Sequence, residues 1–402
     1  MSSSHRLLQQ IKKPSLDPIF SLISEFQRDT RKYKVDLGIG VYRDEFGKTP
    51  IMKSVQDAQQ ILIEKQDSKS YLSLTGNTEF NQASLELLFA KYSIRNRARA
   101  IQTPGGSGAY YLFSQLLRNS AEPVTVWVPE QGYPNHTLTM ISEGIEVKTY
   151  PYLCLITQSI DEARLLEALS NIPYGDVVVL HGCCHNPTGI DLSRTLWKEI
   201  TALSQIKGFL PLIDLAYLGL GHGLEQDLYG LSYMAEHLDD LLIAVSFSKN
   251  FGLYRERAGC AIILSEKGAV SESIVQYLST VACKSYAMSP DYGASIISEI
   301  LSTPYLFSSW KSELEQMNKH LSVNREILHN SLIKVEVTHL DQIRASSGFF
   351  CLTGLTHRQQ NFLRYEHGIY TTLGGRINIS GLNKENCDYV AYSISKSISA
   401  HN

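Results

Sequence analysis

The sequence has little of what marks a membrane protein, a secreted protein or a nucleic-acid-binding protein. No apolar run reaches the roughly 20 residues that a membrane-spanning helix needs. The N-terminal segment is polar and lacks the apolar core of a signal peptide, so we expect a cytoplasmic protein. The formal net charge is only -3 over 402 residues, which does not favour binding to nucleic acid or to a membrane surface.

Cysteine is also sparse, with seven residues scattered along the chain. An odd number at irregular spacing in a long chain does not predict a disulfide framework. The run His181–His185 contains Cys183 and Cys184, but adjacent cysteines lack the spacing of a zinc-binding loop. We therefore predict no metal site, and we interpret these residues as packing around a nearby functional loop.

Short apolar runs alternate with helical patterns between residues 101 and 264, which predicts an α/β fold with a mostly parallel sheet. The predicted strands are Val124–Val128, Ile145–Tyr150, Val177–His181, Phe209–Ile213, Leu241–Ser246 and Gly259–Leu264. The predicted helices between them include Gly108–Arg118, Glu162–Leu169 and Leu192–Ser204. Ligands of such sheets bind beyond the carboxyl ends of the strands.

After residue 305, apolar residues recur at helical spacing over a long stretch, which predicts a long amphipathic helix. These residues are Trp310, Leu314, Met317, Leu321, Leu328 and Leu332. Beyond it, Ser347–Leu352 and Arg376–Ile379 are predicted as short strands.

Lys249 follows the apolar run Leu241–Val245 and is flanked by small hydroxyl residues, Ser246 and Ser248. A lysine amine becomes a nucleophile when burial or a nearby cation lowers its pKa. Taken alone, a surface lysine with a buried stem is the alternative interpretation.

Other polar residues lie at predicted strand ends or helix starts. The glycine-rich turn Thr103–Gly108 opens a helix and suits a phosphate, although a simple helix-start turn has the same pattern. Asn186 precedes a proline and is held extended, as in an ordinary turn, and its amide can donate to an aromatic oxygen. Asp214 ends a strand, where it can pair with a protonated ring nitrogen or cap the next helix.

Two arginines complete the set. Arg257 lies eight residues after Lys249, and Arg376 lies in the run Gly374–Asn378. Arginine binds phosphate and carboxylate with its planar fork, although each arginine alone is as well explained by a surface ion pair. Together the set meets the needs of pyridoxal 5′-phosphate acting on an amino acid.

At this point the sequence resembles the class I (fold-type I) aminotransferases, of the aspartate and aromatic amino-acid subgroup. The resemblance covers nearly the whole chain and is carried by the runs Asp36–Tyr42, Gly47–Pro50, His181–Asp191 and Ser246–Arg257. It implies a large domain with a mostly parallel seven-stranded sheet flanked by helices, and a smaller α+β domain built from N- and C-terminal segments. We expect an arm and part of the small domain in 1–45, the large domain in 46–308, and the connecting helix and small domain in 309–402.

The resemblance also implies roles for individual residues. Lys249 would hold the cofactor and move the substrate proton, Asp214 would pair with the ring nitrogen, and Asn186 and Tyr217 would bind the ring oxygen. His136 would lie behind Asp214, Tyr133 would stack on the ring, and Arg376, with Gly40 nearby, would bind the substrate carboxylate. The phosphate would be held by Gly105, Gly106, Ser107, Ser246, Ser248 and Arg257, and by Tyr71 of a neighbouring subunit in a homodimer with shared active sites.

Three departures from the family pattern stand out. Tyr133 replaces a tryptophan, and Tyr110 and Tyr111 make the helix after Gly108 bulkier than usual. Cys283 occupies the position of the arginine that binds a dicarboxylate side chain, and Lys284 follows it. An apolar pocket lined by Met288 and Phe20 would favour aromatic or other apolar substrates.

The predicted reaction is a ping-pong transfer of an amino group between an L-amino acid, aspartate or aromatic, and 2-oxoglutarate. Another pyridoxal-phosphate reaction on the same fold, such as a lyase, is one alternative. A non-catalytic binding or regulatory protein is another. A dinucleotide-dependent dehydrogenase is disfavoured because the G-x-G-x-x-G pattern is absent.

Overall fold

The computed structural model describes residues 18–401, apart from the side chains of residues 18–20, Tyr92 and Leu373. The part of the expected N-terminal arm before residue 18 and the side chain of Phe20 therefore lie outside the described residues.

A seven-stranded sheet forms the centre of the protein. Its strands, in chain order, are β1 (Ala98–Pro104), β2 (Thr125–Pro129), β3 (Glu146–Tyr150), β4 (Val177–His181), β5 (Leu210–Leu215), β6 (Leu241–Ser246) and β7 (Ala258–Leu264). Their spatial order is β1-β7-β6-β5-β4-β2-β3. Strand β7 is antiparallel to β1 and β6, and every other neighbouring pair is parallel. The predicted α/β fold with a mostly parallel seven-stranded sheet is confirmed.

The predicted strands correspond to β2–β7, with β4 and β6 at their predicted bounds and no end of the others shifted by more than two residues. Strand β1 is missing from the prediction. It is an edge strand, and Arg99 and Gln102 interrupt its apolar residues, so no continuous apolar run marks it.

The sheet separates two apolar cores. Along the fully buried strand β4, Val177 and Val179 belong to one core, while Val178 and Leu180 belong to the other. Side chains alternate between the faces of a strand, so a strand that is apolar at every position must be covered on both faces.

Helices cover the sheet and extend beyond it; among the described helices, none is long and apolar enough to cross a membrane. The α-helices are Pro18–Arg28, Lys53–Lys65, Thr78–Leu88, Tyr92–Arg97, Gly105–Arg118, Pro134–Ser142, Glu162–Ser170, Arg194–Lys207, Leu224–Asp227, Tyr229–His237, Gly268–Tyr286, Asp291–Ser302, Pro304–Lys334, Gln342–Ala345, His357–His367 and Cys387–Ala400. Short 3-10 turns span Leu373–Gly375 and Ile379–Gly381.

The long helix predicted after residue 305 is present as Pro304–Lys334. At 1.5 Å per residue it is about 46 Å long. Its buried stripe contains all six predicted apolar residues, and it packs against helices Lys53–Lys65 and Cys387–Ala400. It therefore links the first helices of the chain to the last one.

Three short strand pairs lie outside the central sheet. Val35–Asp36 pairs with Ile369–Tyr370 in parallel, which joins the N-terminal segment to the C-terminal one. Phe350–Leu352 pairs with Arg376–Asn378, so the predicted strands Ser347–Leu352 and Arg376–Ile379 are shorter than expected. Leu153–Cys154 pairs with Ser159–Ile160.

Strand pairing aligns three residues at the ends of neighbouring strands. In the ladder, Ser246 of β6 pairs with Gly259 of β7, and Gly259 pairs with Thr103 of β1. Pro104, the last residue of β1, pairs with Ala258. The turn that starts at Gly105 therefore lies beside the carboxyl end of β6.

Candidate active site

A cavity of about 210 Å³ opens at the carboxyl ends of β4, β5 and β6. Nearly every residue predicted for a site in this chain contributes to its wall or lies directly behind it. The lining residues are Gly40, Gly106, Ser107, Tyr110, Tyr133, Asn135, His136, Asn186, Asp214, Ala216, Tyr217, Ser246, Lys249, Arg257, Phe350 and Arg376.

Lys249 lies just beyond the end of β6, on the wall of this cavity. Its Nζ is 5.1 Å from the centroid of the Tyr217 ring. Burial, together with Arg257 and Arg376, lowers the pKa of Lys249 to about 8, against the opposing effect of Asp214. The surface-lysine interpretation is therefore wrong, and the amine is suited to act as a nucleophile or a base.

Asp214 lies inside β5 and does not cap a helix. Its Oδ2 is 3.0 Å from Nε2 of His136. Burial acts to raise the pKa of Asp214, but the hydrogen bond from His136 and the charge of Lys249 outweigh it, so this pKa lies below its usual value. Because an ionised carboxylate only accepts hydrogen bonds, Nε2 of His136 is the donor.

The turn at Gly105 and the side chain of Arg257 form a cationic hollow. Gly105 has φ +69°, and a Cβ built on it would lie 2.4 Å from Nη2 of Arg257. Nη1 of Arg257 donates to the Ser248 hydroxyl at 3.0 Å and to the Tyr254 carbonyl at 3.3 Å, both uncharged acceptors. Helix Gly105–Arg118 begins here, three residues before the predicted start, and presents backbone N–H groups suited to an anion.

Arg376 is a buried residue of the cavity wall. Its Nη1 donates to Oδ1 of Asn186 at 3.0 Å, and its Nη2 donates to the Gly38 carbonyl at 2.8 Å. The guanidinium carbon lies 4.1 Å from the centroid of the Phe350 ring. Its Nε is buried without a hydrogen-bond partner among the described residues, and an anionic ligand is the natural partner for such a group.

Sequence reasoning missed Phe350, Asn135 and Ala216, which lack a chemical signature of their own. It placed His136 behind Asp214 and the run His181–His185 beside a functional loop, but it did not predict that their rings form one buried row. The rings of His136 and His181 are 5.2 Å apart, and His181 and His185 are 4.2 Å apart. Burial lowers the pKa of His181 to about 3, and burial likewise lowers that of His185.

Three predicted residues lie away from the cavity of their own chain. Tyr71 is 90% exposed, and Cys283 and Lys284 are exposed near the end of helix Gly268–Tyr286. Nearby, the Leu72 backbone N–H lies 3.0 Å from the sulfur of Met288. Leu72 and Met288 are therefore in contact.

The cavity fits a phosphorylated aromatic aldehyde. The hollow at Gly105 and Arg257 suits the phosphate, since a Cβ would fill it and the arginine is met only by uncharged acceptors there. Asp214 suits a protonated ring nitrogen, and Lys249 suits the aldehyde carbon. This arrangement on this sheet defines a pyridoxal-phosphate-dependent enzyme of fold type I.

The comparisons with known proteins identify the family. Residues 32–394 match the family described as aminotransferase class I and II. The chain is 37% identical to an aspartate aminotransferase of Haemophilus influenzae, over 97% of this chain and 100% of that protein. It is 40% identical to a tyrosine aminotransferase of Rhizobium meliloti, over 91% of this chain and 94% of that protein.

A solved structure agrees. The aromatic-amino-acid aminotransferase from Burkholderia pseudomallei, covalently bound to pyridoxal phosphate, matches with a TM-score of 0.94 and 32% identity, over 97% of this chain and 99% of that one. The chain therefore belongs to the class I and II aminotransferases. It is a transaminase, and the family depends on pyridoxal phosphate.

Proposed function

We propose that this transaminase passes the amino group of an aromatic L-amino acid, in preference to aspartate, to a 2-oxo acid. The preference rests on Cys283, which has no guanidinium and which the family resemblance places at the position of the dicarboxylate-binding arginine. A carboxylate side chain desolvated without a cationic partner is costly to bind. Both aspartate and aromatic aminotransferases are among the relatives, so membership of the family does not fix the substrate. The preference must then depend on individual residues of the substrate pocket.

We assign the cofactor's contacts to residues around the cavity. Lys249 attaches the cofactor, Asp214 faces its ring nitrogen, and Asn186 and Tyr217 face its ring oxygen. Tyr133 covers the ring face. The phosphate is held by Gly105, Gly106, Ser107, Ser246, Ser248 and Arg257 of one subunit and by Tyr71 of the other.

When bound, pyridoxal phosphate supplies the electron sink for the bond broken at the substrate's α-carbon. Arg376 binds the substrate carboxylate through its fork, with Gly40 close by, and so fixes the α-carbon near Lys249. The amine of Lys249 takes the α-proton. Its lowered pKa keeps a substantial fraction neutral near pH 7, as a base requires.

The two substrates must use the cavity in turn. Among the described residues that line it, Arg257 and Arg376 are the two arginines, and Arg257 faces the glycine turn. Arg376 therefore receives the amino acid's carboxylate in one half-reaction and that of the 2-oxo acid in the other. This alternation underlies the ping-pong order.

We also propose a homodimer with shared active sites. Tyr71 is 90% exposed in the single chain, and Leu72 and Leu74 beside it are exposed as well. A tyrosine that is to bind a phosphate but lies outside its own cavity must act on the site of a second subunit. We further propose a cytoplasmic location, and the division into 1–45, 46–308 and 309–402 described above.

Substrate profiling tests the preference directly. We expect kcat/KM with 2-oxoglutarate to be higher for tyrosine and phenylalanine than for aspartate. Cys283→Arg should raise kcat/KM for aspartate about tenfold or more, since it supplies a charge partner for the side-chain carboxylate. Activity with tyrosine in the same variant serves as the control for folding.

A wild-type enzyme that prefers aspartate would contradict the proposal. Lys284→Ala would then show whether the neighbouring lysine replaces the arginine, by lowering kcat/KM for aspartate and leaving that for tyrosine unchanged.

A further inference from the structure

Tyr110 lies in helix Gly105–Arg118 and borders the cavity, yet none of the assigned roles uses it. Its side chain is almost fully buried. Its ring is stacked on the imidazole of His136, with centroids 4.3 Å apart and planes 15° apart. The two rings are therefore stacked, with nearly parallel planes.

His136 needs such a neighbour. Its Nε2 donates to Asp214, but its Nδ1 is buried and has no hydrogen-bond partner among the described residues. One hydrogen bond fixes one atom of the ring and leaves the ring plane free to turn. Tyr133 and His181 meet the imidazole at 88° and 47°, so Tyr110 is the ring that lies flat against it.

We propose that Tyr110 is a positioning residue for the Asp214 carboxylate. Its ring holds the plane of the His136 imidazole, and that plane aims Nε2 at Oδ2 of Asp214. The carboxylate is thereby kept ionised and pointed into the cavity. This inference rests on the proposed role of Asp214 toward the cofactor's ring nitrogen.

The ring of Tyr110, and not its hydroxyl, does the positioning. The hydroxyl is buried and forms no hydrogen bond with the described residues. Tyr110→Phe keeps the stacked ring, whereas Tyr110→Leu removes it and leaves an apolar side chain in its place. Comparing the Phe and Leu variants therefore separates the effect of the stacked ring from the effect of the hydroxyl.

The test uses the holoenzyme and two readouts besides turnover. Solid-state ¹⁵N spectra of histidine-labelled protein report the protonation of Nε2 in His136, and trapping of free pyridoxal phosphate reports the rate of cofactor release. In Tyr110→Leu we expect altered His136 signals, release faster by about tenfold, and a fall in kcat with little change in KM. In Tyr110→Phe we expect all three to return toward the wild-type values.

Tyr152 offers a matched control. Its ring is stacked on His185 at 3.9 Å and 10°, which is a similar buried tyrosine–histidine contact that does not involve Asp214. Tyr152→Leu should leave the His136 signals and the release rate unchanged. Equal changes in Tyr152→Leu and Tyr110→Leu would mean general loosening and would overturn the inference.

A double-mutant cycle tests whether Tyr110 acts through His136. In a His136→Asn background, Tyr110→Leu should add little, because Tyr110 acts through His136. Additive effects, or unchanged His136 signals in Tyr110→Leu, would refute the role of Tyr110 and leave that of Asp214 intact. Asp214→Ala with normal cofactor binding and turnover would refute the proposed role of Asp214 itself.

Discussion

The amine of Lys249 is partly removed from water and lies near two arginines, and this sets the pH at which it reacts. A pKa of about 8 leaves about a tenth of the amines neutral at pH 7, whereas an ordinary lysine is almost wholly charged there. Because the pKa is lowered, reactivity is gained as the pH rises through 8.

We predict that the rate at which the apoprotein attaches pyridoxal phosphate rises with pH to a midpoint near 8, measured by stopped-flow absorbance between pH 6 and 10. Arg376→Ala removes one of the cations that lower the pKa and should move the midpoint upward. A midpoint near 10.5 in the wild-type protein would contradict a desolvated amine.

At the scale of elements, the start of helix Gly105–Arg118 depends on glycine for two reasons. Gly105 has φ +69°, which costs most other residues about 1 kcal/mol or more, and its missing Cβ leaves room for Arg257. We predict that Gly105→Ala weakens pyridoxal phosphate binding at least about tenfold because Arg257 is displaced from the hollow. Fluorescence titration of the apoprotein measures this.

Gly144 provides the matched control. It has φ +78°, but a Cβ there would meet nothing within 4 Å. Gly144→Ala should therefore lower the melting temperature through the same backbone strain and leave cofactor affinity unchanged. Similar losses of affinity in both variants would argue against a specific cradle at Gly105.

At the scale of the whole molecule, the proposed sharing of sites makes a prediction about mixed dimers. Lys249→Ala subunits lack the amine, and Tyr71→Ala subunits lack the tyrosine they would supply to a partner. In a hybrid of the two, one site combines an intact Lys249 with an intact Tyr71 from the other subunit. Mixing the two variants after mild dissociation should restore activity beyond the sum of the separate proteins.

No recovery in verified hybrids would mean that Tyr71 does not act across subunits. Analytical ultracentrifugation of each variant, and of the mixture, checks that dimers form. Lys249→Ala mixed with Lys249→Ala is the negative control.

A site residue can be predicted from the sequence when its chemical type and its neighbours along the chain already indicate its role. Lys249, Asp214 and Arg376 follow or begin recognisable strands, and all three line the cavity. Phe350 is an ordinary apolar residue whose position under Arg376 exists only after two distant strands pair. Tyr110 is visible in the sequence as an unusual residue, but its stack on His136 depends on how a helix packs.

The fold, too, could be predicted only where a local pattern of apolar residues marks an element. Strands β4 to β7 are recognisable from nearly continuous apolar runs, and the long helix is recognisable because its period is sustained along its 31 residues. Strand β1 escaped prediction because its side chains are mixed at the edge of the sheet. The order of the strands depends on pairing between distant segments, which no local pattern encodes.

The hydrogen-bonded pairing of β1, β7 and β6 determines how sensitive this site is to a shift in strand register. Gly105 directly follows β1, Ser246 ends β6 and Arg257 directly precedes β7, so all three lie at paired ends of neighbouring strands. Their spacing is set by backbone hydrogen bonds and not by the loops between them. A one-residue slip of β7 should therefore be very harmful, because it would move the arginine out of line with the lysine and the glycine turn together.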